Sequence, residues 1–149
     1  MRVVVGSDEK TTLTDAVVAA LREGGHEVTP VGPLAGGVEE WAQVGAEVAR
    51  RVAAGEAEMG VLFCWTGTGA SIAANKVAGA RAALCGDVET ARGARRYNHA
   101  NVLVMSLRAT SEALGREILE AFLEEPPGED DFDRRNVAAV DALDVGRMS

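Results

Sequence analysis

Residues 59–76 read MGVLFCWTGTGASIAANK, and this stretch decides the fold of the chain. It starts with the apolar run Val61-Leu62-Phe63-Cys64, which is typical of a strand buried on both faces of a sheet. A turn with two glycines follows, Trp65-Thr66-Gly67-Thr68-Gly69, and the alanine-rich residues 70–76 favour a helix. A strand, a glycine turn and a helix start direct free backbone N–H groups and the positive end of a helix dipole at one point. The stretch therefore predicts a site for an anion, either a bound phosphate or an oxyanion formed during a reaction.

Cys64 lies at the predicted carboxyl end of this strand, where open parallel sheets bind their ligands. A glycine turn alone is weak evidence, and a single cysteine at a strand end is more often a small buried hydrophobic residue. The combination is more informative, because the N–H groups of the turn would stabilise a thiolate. We therefore treat Cys64 as a candidate nucleophile or base.

The composition restricts the class of protein. The chain has 149 residues, enough for one domain, with 47% hydrophobic and 4% aromatic residues, so its core must consist of Ala, Val and Leu. A net charge of -8 argues against a nucleic-acid partner. No apolar run approaches the roughly 18 residues that span a bilayer, and the start of the chain has no signal-peptide pattern. We expect a cytoplasmic protein that binds neither nucleic acid nor membranes.

The two cysteines, Cys64 and Cys85, end two predicted strands. Two strand ends in one sheet allow them to lie near each other in space, yet a disulfide is not expected in the cytosol. Two histidines and two cysteines without zinc-site spacing predict no metal.

The rest of the chain alternates between strand-like and helix-like segments. We predict strands at 2–6, 26–31, 59–64, 81–85 and 101–105, and helices at 11–23, 38–54, 70–77, 87–97 and 110–123. This alternation predicts a three-layer α/β/α sandwich around a five-stranded parallel sheet, Rossmann-like with a flavodoxin-like winding.

The end of the chain differs in composition. Residues 1–125 are predicted to form the Rossmann-like domain, and 126–149 a linker and a C-terminal helix at 132–143. The linker is acidic and contains Pro126-Pro127-Gly128. The helix has three open options: it docks on its own domain, it frays, or it docks on a partner subunit; we favour the partner.

The pattern Cys64-x-Thr66-Gly67-x-Gly69-x-Ser71-Ile72-Ala73-Ala74-Asn75-Lys76 closely resembles the signature of the ribose-5-phosphate isomerase B / galactose-6-phosphate isomerase family. Matches at Gly6-Ser7-Asp8, 80–85 and 98–103 extend the resemblance over nearly the whole chain. The resemblance implies an enzyme of carbohydrate metabolism, an aldose–ketose isomerase that acts through a cis-enediolate without metal or organic cofactor. It also implies a homodimer with active sites assembled from both chains. A tetramer of two such dimers is the alternative.

The resemblance also implies roles for individual residues. Cys64 matches a catalytic base, and Thr66 matches a threonine that assists proton movement between the sugar oxygens. Asp8 and Asn98 match residues that bind sugar hydroxyls, and Arg108 matches an arginine associated with the phosphate. The amides that hold the oxyanion are implied to be those of the loop, at Gly67, Thr68, Gly69, Ala70 and Ser71. Without the resemblance, Asp8 would read as a turn or helix cap and Arg108 as a surface charge.

The chain departs from the family pattern at several substrate contacts. Glu9 stands where a histidine is usual, and it would repel a phosphate and accept hydrogen bonds from hydroxyls. Tyr97-Asn98-His99 replaces the segment with the ring-opening histidine, so Tyr97 and His99 are both candidates for that role, although tyrosine is a poorer general base at neutral pH. The second-loop tyrosine is replaced near Val38, and Trp65 replaces a glycine, where it would narrow the site or stack on a sugar face.

The tail also departs from the pattern, since the family has two phosphate-binding arginines four residues apart. Here Arg134 and Arg135 are adjacent.

Three hypotheses about the function follow from the matches and the departures. The first is an isomerase for a sugar or sugar phosphate other than ribose 5-phosphate, such as an open-chain tetrose or triose phosphate. The second is an ordinary ribose-5-phosphate isomerase. The third is a non-catalytic homologue that binds sugar phosphates.

Overall fold

Strands and helices alternate along the chain, as the sequence pattern predicts. The computed structural model describes residues 1–144. The strands are β1 (Arg2–Ser7), β2 (Glu27–Val31), β3 (Met59–Cys64), β4 (Ala82–Leu84) and β5 (Val102–Ser106). The helices are α1 (Thr12–Glu23), α2 (Trp41–Ala53), α3 (Thr68–Asn75), α4 (Val88–Asn98), α5 (Glu112–Glu124) and α6 (Asp131–Ala142).

The start of α2 differs from the sequence-based prediction. We expect a loop at 32–37 and a helix from residue 38, whereas a short 3-10 helix occupies Gly32–Ala35 and α2 begins at Trp41. The reason is a capping interaction, because the backbone N–H of Glu40 donates to Gln43 Oε1 at 3.1 Å. Val38 is left outside the helix with 92% of its surface exposed.

The sheet has the strand order β2-β1-β3-β5-β4, with all neighbours parallel. The predicted five-stranded parallel α/β fold is therefore confirmed. A flavodoxin winding has the order 2-1-3-4-5, and here β4 and β5 exchange places, which corrects that detail. β5 is longer and almost entirely buried, whereas β4 has three residues with partial exposure, so the shorter strand takes the edge.

Helices cover both faces of the sheet. One apolar core lies between the sheet and α1, α4 and α5, and the other lies between the sheet and α2 and α3. The connections β1–α1–β2 and β4–α4–β5 move toward the β2 edge on the first face. The connections β2–α2–β3 and β3–α3–β4 move toward the β4 edge on the second face. All four crossovers thus share one hand, as expected for right-handed parallel connections.

This winding creates a crevice at the carboxyl edge of the sheet. Ser7 of β1 lies in register with Phe63, and Cys64 lies in register with Ser106 of β5. The chain then leaves β1 toward one face and β3 toward the other. Such a point of divergence is where open α/β sheets bind ligands, and it is where Cys64 lies.

The tail docks on its own chain over the described residues. Helix α6 packs against α4, and Arg81 forms an ion pair with Asp141 at 3.0 Å. His99 Nε2 lies 2.8 Å from the Gly128 carbonyl oxygen, which holds the linker. Residues 145–149 of the predicted tail segment lie outside the described residues. Additional docking on a partner subunit stays a prediction.

Candidate active site

A cavity of about 260 Å³ opens at the carboxyl edge of β1 and β3. Its lining residues are Asp8, Trp41, Cys64, Trp65, Thr66, Thr68 and Gly69. The structure thus brings together the first-loop aspartate, the cysteine and the glycine turn that the sequence analysis selected separately. They come from two segments almost sixty residues apart in sequence, and the parallel pairing of β1 with β3 places them side by side.

Cys64 is the last residue of β3 and pairs with Ser106 of β5. Its carbonyl oxygen accepts a hydrogen bond from Leu107 N–H at 3.0 Å. Only 5% of its surface is exposed, and it is a free thiol. The thiol is therefore largely shielded from water and held at the cavity wall, which suits a base that must contact a small molecule.

The glycine turn needs glycine at residue 67 for two reasons. Gly67 has φ of 80°, in the left-handed region that disfavours side chains. A Cβ there would lie 2.5 Å from Leu84 Cδ1 and 3.3 Å from the Met105 backbone. Gly67 is also the N-cap of α3, which begins without a side-chain cap. The first amides of α3 consequently have no capping side chain, and two of the residues that carry them, Thr68 and Gly69, line the cavity.

These open amides belong to Thr68, Gly69 and Ala70, because the first three N–H groups of an α-helix lack intrahelical acceptors. The Ser71 N–H already donates to the Gly67 carbonyl oxygen at 3.1 Å. The Ser71 amide therefore already has an acceptor within the helix, and its contact with an oxyanion stays a prediction. The hydroxyl groups of Thr66 and Thr68 lie 2.8 Å apart and form a hydrogen bond at the mouth of the turn.

Asp8 enters the cavity from a tight turn after β1. Ser7 Oγ donates to the Glu9 carbonyl oxygen at 2.6 Å, and Glu9 N–H donates back to Ser7 Oγ at 3.2 Å. Thr11 caps α1, so Asp8 is not the helix cap. Burial raises the pKa of the Asp8 carboxyl above its ordinary value, and the charge of Glu9 adds to this effect, against a backbone hydrogen bond that lowers it.

Arg108 lies beside Trp65 on the loop that follows β5. Its N–H donates to the Trp65 carbonyl oxygen at 3.0 Å, and Ser106 Oγ donates to the same oxygen at 2.9 Å. The Arg108 side chain is exposed, and no ion pair joins it to another residue between 1 and 144. The Arg108 backbone thus lies beside the cavity-lining Trp65, and its side chain has no carboxylate partner among residues 1–144.

Trp41 is the site residue that the sequence analysis missed. The apolar spacing of α2 predicts a core position, yet 46% of Trp41 is exposed and it lines the cavity. A Cβ on Gly69 would lie 2.9 Å from its ring. A signal was available, because a helix that follows a parallel strand starts at the carboxyl edge, beside the site. Trp41 is the first residue of such a helix.

The remaining candidates lie elsewhere in the chain. Helix α4 runs from the carboxyl edge of the sheet back to the amino edge, so its last residues lie at the opposite edge from Cys64. There Tyr97 and Asn98 line a separate cavity of about 380 Å³, beneath α6. His99 ends α4 with φ of 49° and contacts the Gly128 carbonyl oxygen.

Arg134 and Arg135 lie on α6, the helix that packs against α4. The Arg135 guanidinium lies 5.2 Å from the centre of the Phe132 ring, and both arginines are exposed. One chain therefore presents two separate groups of candidate residues, one around Cys64 and one around the ends of α4 and α6.

Among the described residues 1–144, no helix is long and apolar enough to cross a membrane. In the same range, no group of three or more His, Cys, Asp or Glu side chains is arranged to hold a metal ion. The candidate active site is thus built from a thiol, hydroxyl groups, a carboxyl and backbone amides.

The fold and this site define a class: a parallel α/β protein with a cysteine at the divergence of two strands and a helix start open to an anion. The chain matches the family model described as Ribose/Galactose Isomerase over residues 3–141. It belongs to that family of sugar-phosphate isomerases, which confirms the prediction from the motif.

Three comparisons illustrate the relationship. The type B ribose 5-phosphate isomerase of Trypanosoma brucei is 39% identical with a TM-score of 0.88, covering 95% of this chain and 97% of that one. The 4-deoxy-4-sulfo-D-erythrose isomerase of Clostridium sp. (strain MSTE9) is 35% identical over 125 residues, 83% of this chain and 79% of that protein. The galactose-6-phosphate isomerase subunit LacB of Clostridium acetobutylicum is 50% identical over 80 residues; this match spans 54% of this chain but only 46% of the LacB subunit.

Proposed function

We propose that this chain is an aldose–ketose isomerase that acts on a sugar phosphate through a cis-enediolate, with Cys64 as the base and without metal or organic cofactor. The observation that carries the proposal is the 260 Å³ cavity in which Cys64, Thr66 and the open end of α3 lie together. Membership of the sugar-phosphate isomerase family supports it.

The proposed reaction needs only proton transfers. In the aldose-to-ketose direction, the Cys64 thiolate takes the proton from carbon 2, and the electrons of that C–H bond move toward the carbonyl to give an enediolate. Thr66 then passes a proton between the oxygens on carbons 1 and 2. Cys64 returns its proton to carbon 1, which gives the ketose and restores the thiolate. Nothing is consumed besides the substrate.

The negative charge that develops on oxygen needs fixed donors. The open amides of Thr68, Gly69 and Ala70 supply them, and the positive end of the α3 dipole adds to their effect. Thr68 and Gly69 line the cavity, so their amides are the nearest of these donors to the substrate oxygens. This donor set stabilises the enediolate more than the neutral sugar, which is what accelerates the reaction.

Asp8 is proposed to hold a sugar hydroxyl next to the reacting carbons. Its raised pKa reflects a carboxylate that is partly shielded and close to Glu9. Both carboxylates disfavour a phosphate near the first loop. We therefore place the phosphate on the other side of the cavity, near Arg108.

We further propose that the chain works as a homodimer in which each site is completed by the partner. A tetramer of two such dimers is the alternative. Within one chain, Cys64 is at the opposite edge of the sheet from Tyr97, Asn98 and Arg134. They contribute to catalysis only if a second copy presents them to this cavity. Exposed apolar side chains at both regions support such an interface, among them Ile72 near the cavity and Phe132 on α6.

Of the two candidates for the ring-opening role, the geometry favours Tyr97. It is 52% exposed and lies with Asn98 at one cavity. His99 Nε2 must donate to the Gly128 carbonyl oxygen, since a carbonyl only accepts. That contact ties His99 to the linker, so we assign it a structural role and propose Tyr97 as the proton-transfer group. Of the two tail arginines, Arg134 is the preferred additional contact for the phosphate, because Arg135 stacks on Phe132.

The substrate is proposed to be an open-chain sugar phosphate of three or four carbons. Glu9 and Tyr97 stand where the family pattern has histidines, which alters contacts that a closed ring requires. A relative is named for 4-deoxy-4-sulfo-D-erythrose, a four-carbon sugar that lacks the hydroxyl needed to close a five-membered ring. Robust turnover of ribose 5-phosphate would instead favour an ordinary ribose-5-phosphate isomerase.

The setting that we propose is the cytoplasm. Cys64 and Cys85 are both free and buried, as expected where thiols stay reduced. They lie against opposite faces of the sheet, one in each apolar core, so they are not arranged to pair with each other.

The test is proton exchange in deuterium oxide. Purified protein is incubated with phosphorylated and free sugars of three to six carbons, and loss of the C–H signal next to the carbonyl is followed by NMR. We expect exchange with a short sugar phosphate, and its loss in Cys64→Ala.

Cys85→Ala is the matched control, since it removes the same atom from the other core. Burial raises the pKa of the Cys85 thiol to about 12, with a smaller contribution from the charge of Asp87, so this thiol supplies no base at neutral pH. Full exchange by Cys64→Ala would exclude Cys64 as the base. Sugar-phosphate binding without exchange in the unmodified protein would favour a non-catalytic homologue.

A further inference from the structure

Both tryptophans of this chain line the cavity that holds Cys64. The sequence has only two, Trp41 and Trp65, within an aromatic content of 4%. They are 46% and 61% exposed, although tryptophan gains more from burial than almost any other residue. The apolar cores contain neither of them. Their shared position therefore needs an explanation outside the packing of the fold.

The two rings are held in different ways. Trp41 packs on the glycine turn, where its ring would lie 2.9 Å from a Cβ on Gly69. Trp65 has a fixed backbone, because its carbonyl oxygen accepts from Ser106 Oγ and from Arg108 N–H. Its side chain extends outward with most of its surface free. One indole thus supports the oxyanion turn, and the other forms a flat, exposed wall.

We propose that the Trp65 indole sets the substrate range, because it accepts a short open carbon chain against its ring and excludes a closed sugar ring, while the Trp41 indole positions the glycine turn. The inference rests on the proposed isomerase function and names the residue that imposes its substrate class. Trp65 is the specificity residue, because it contacts the substrate. Trp41 is a positioning residue, because it acts through the backbone of Gly69.

The physical basis is the shape of an open sugar chain. An extended four-carbon chain presents C–H groups along one edge, and such groups stack favourably on an indole face. A furanose ring with its exocyclic carbon is bulkier in all directions. In a cavity of about 260 Å³ with an indole on its rim, we expect the ring to collide with Trp65 before carbon 2 reaches Cys64.

Intrinsic fluorescence tests binding directly, since all tryptophan emission comes from this cavity. D-erythrose 4-phosphate should change the emission of the unmodified protein at concentrations at least about tenfold lower than D-ribose 5-phosphate, a difference typical of steric discrimination. Inorganic phosphate is the control for an anion alone. Trp41→Phe should retain most of the change, and Trp65→Phe should remove most of it.

Kinetics test specificity. In Trp65→Gly, the ratio of kcat/KM for the four-carbon over the five-carbon sugar phosphate should fall about tenfold or more. Trp41→Ala should lower kcat for both sugars alike and leave this ratio unchanged, and Trp41→Phe should restore kcat. Because Trp65 is largely exposed, its replacement should leave the circular dichroism spectrum and melting temperature unchanged.

An unchanged ratio in Trp65→Gly would overturn the inference while leaving the isomerase function intact. Conversion of the Trp65→Gly variant to monomers in sedimentation would also overturn it, since Trp65 would then serve the subunit interface. Selective fluorescence changes with the four-carbon sugar, without proton exchange in any variant, would contradict the proposed reaction but support the assignment of the two indoles.

Discussion

The same residue type serves two purposes at the ends of β3 and β4. Cys64 faces a cavity with hydroxyl groups and open amides, whereas Cys85 is sealed in the opposite core. Burial raises the pKa of the Cys85 thiol to about 12, so it behaves as a small apolar side chain. Position relative to the sheet edge, rather than residue type, distinguishes the proposed base from the structural cysteine.

Asp8→Asn tests the carboxyl group in the cavity. We expect kcat/KM to fall by roughly tenfold to a hundredfold, as for loss of a hydrogen bond to a charged group. We expect no loss of stability at neutral pH, because the variant removes a carboxylate that is partly desolvated and close to Glu9. Steady-state kinetics and thermal melting measure the two effects, and Glu117→Gln, which neutralises an exposed carboxylate on α5, is the control.

The pH dependence of this variant has a defined sign. The pKa of Asp8 is raised above 3.8 in the folded state, so the folded chain binds more protons than the unfolded chain just above that pH. The wild-type free energy of unfolding should therefore fall relative to Asp8→Asn as the pH rises through this window. A wild-type protein that gains stability over Asp8→Asn in the same window would contradict the assignment.

At the scale of the elements, the β3–turn–α3 unit could be predicted from sequence because its determinants are local. The apolar run, the glycines and the alanine-rich segment specify the strand, the turn and the helix almost independently of the rest. The order of β4 and β5 could not be predicted, since it depends on which strand tolerates the exposed edge. The start of α2 depends on one capping contact, between Glu40 and Gln43, which a local apolar pattern does not reveal.

The Asn75 side chain explains why the motif continues past the glycine turn. Its Nδ2 donates to the Ala82 carbonyl oxygen at 2.9 Å, and its Oδ1 accepts from Ala82 N–H at 2.8 Å. The amide therefore replaces a neighbouring strand for part of β4. Asn75 connects the end of α3 to the short edge strand, and so fixes the helix whose first turn forms the candidate active site.

Asn75→Ala should lower the free energy of unfolding by about 2 kcal/mol, because two hydrogen bonds are lost and the Ala82 backbone loses its partner. Urea denaturation measures the change. Asn136→Ala is the control, because the hydrogen bond of Asn136 Nδ2 to Phe132 O lies within one turn of α6, and we expect less than about 0.5 kcal/mol there. Equal effects of the two substitutions would show that the edge strand does not depend on Asn75.

At the scale of the whole molecule, the sequence identifies candidate residues but does not reveal their arrangement. Asp8, Cys64 and the glycine turn come together because parallel strands end at one edge. Tyr97 and Asn98 are separated from them because α4 carries them to the opposite edge. A linear sequence contains both groups without revealing this separation. The distance between them is the structural reason to propose a site shared by two copies.

We propose that one functional site combines Cys64 of one copy with Asn98 of another. The most direct measurement mixes two inactive variants, Cys64→Ala and Asn98→Ala, after subunit exchange, and records proton exchange into the sugar phosphate in deuterium oxide. In a mixed dimer, one of the two sites contains both unaltered residues, so a one-to-one mixture should recover roughly a quarter of the wild-type rate. A mixture no more active than its two components would contradict the shared site and place the reaction within a single chain.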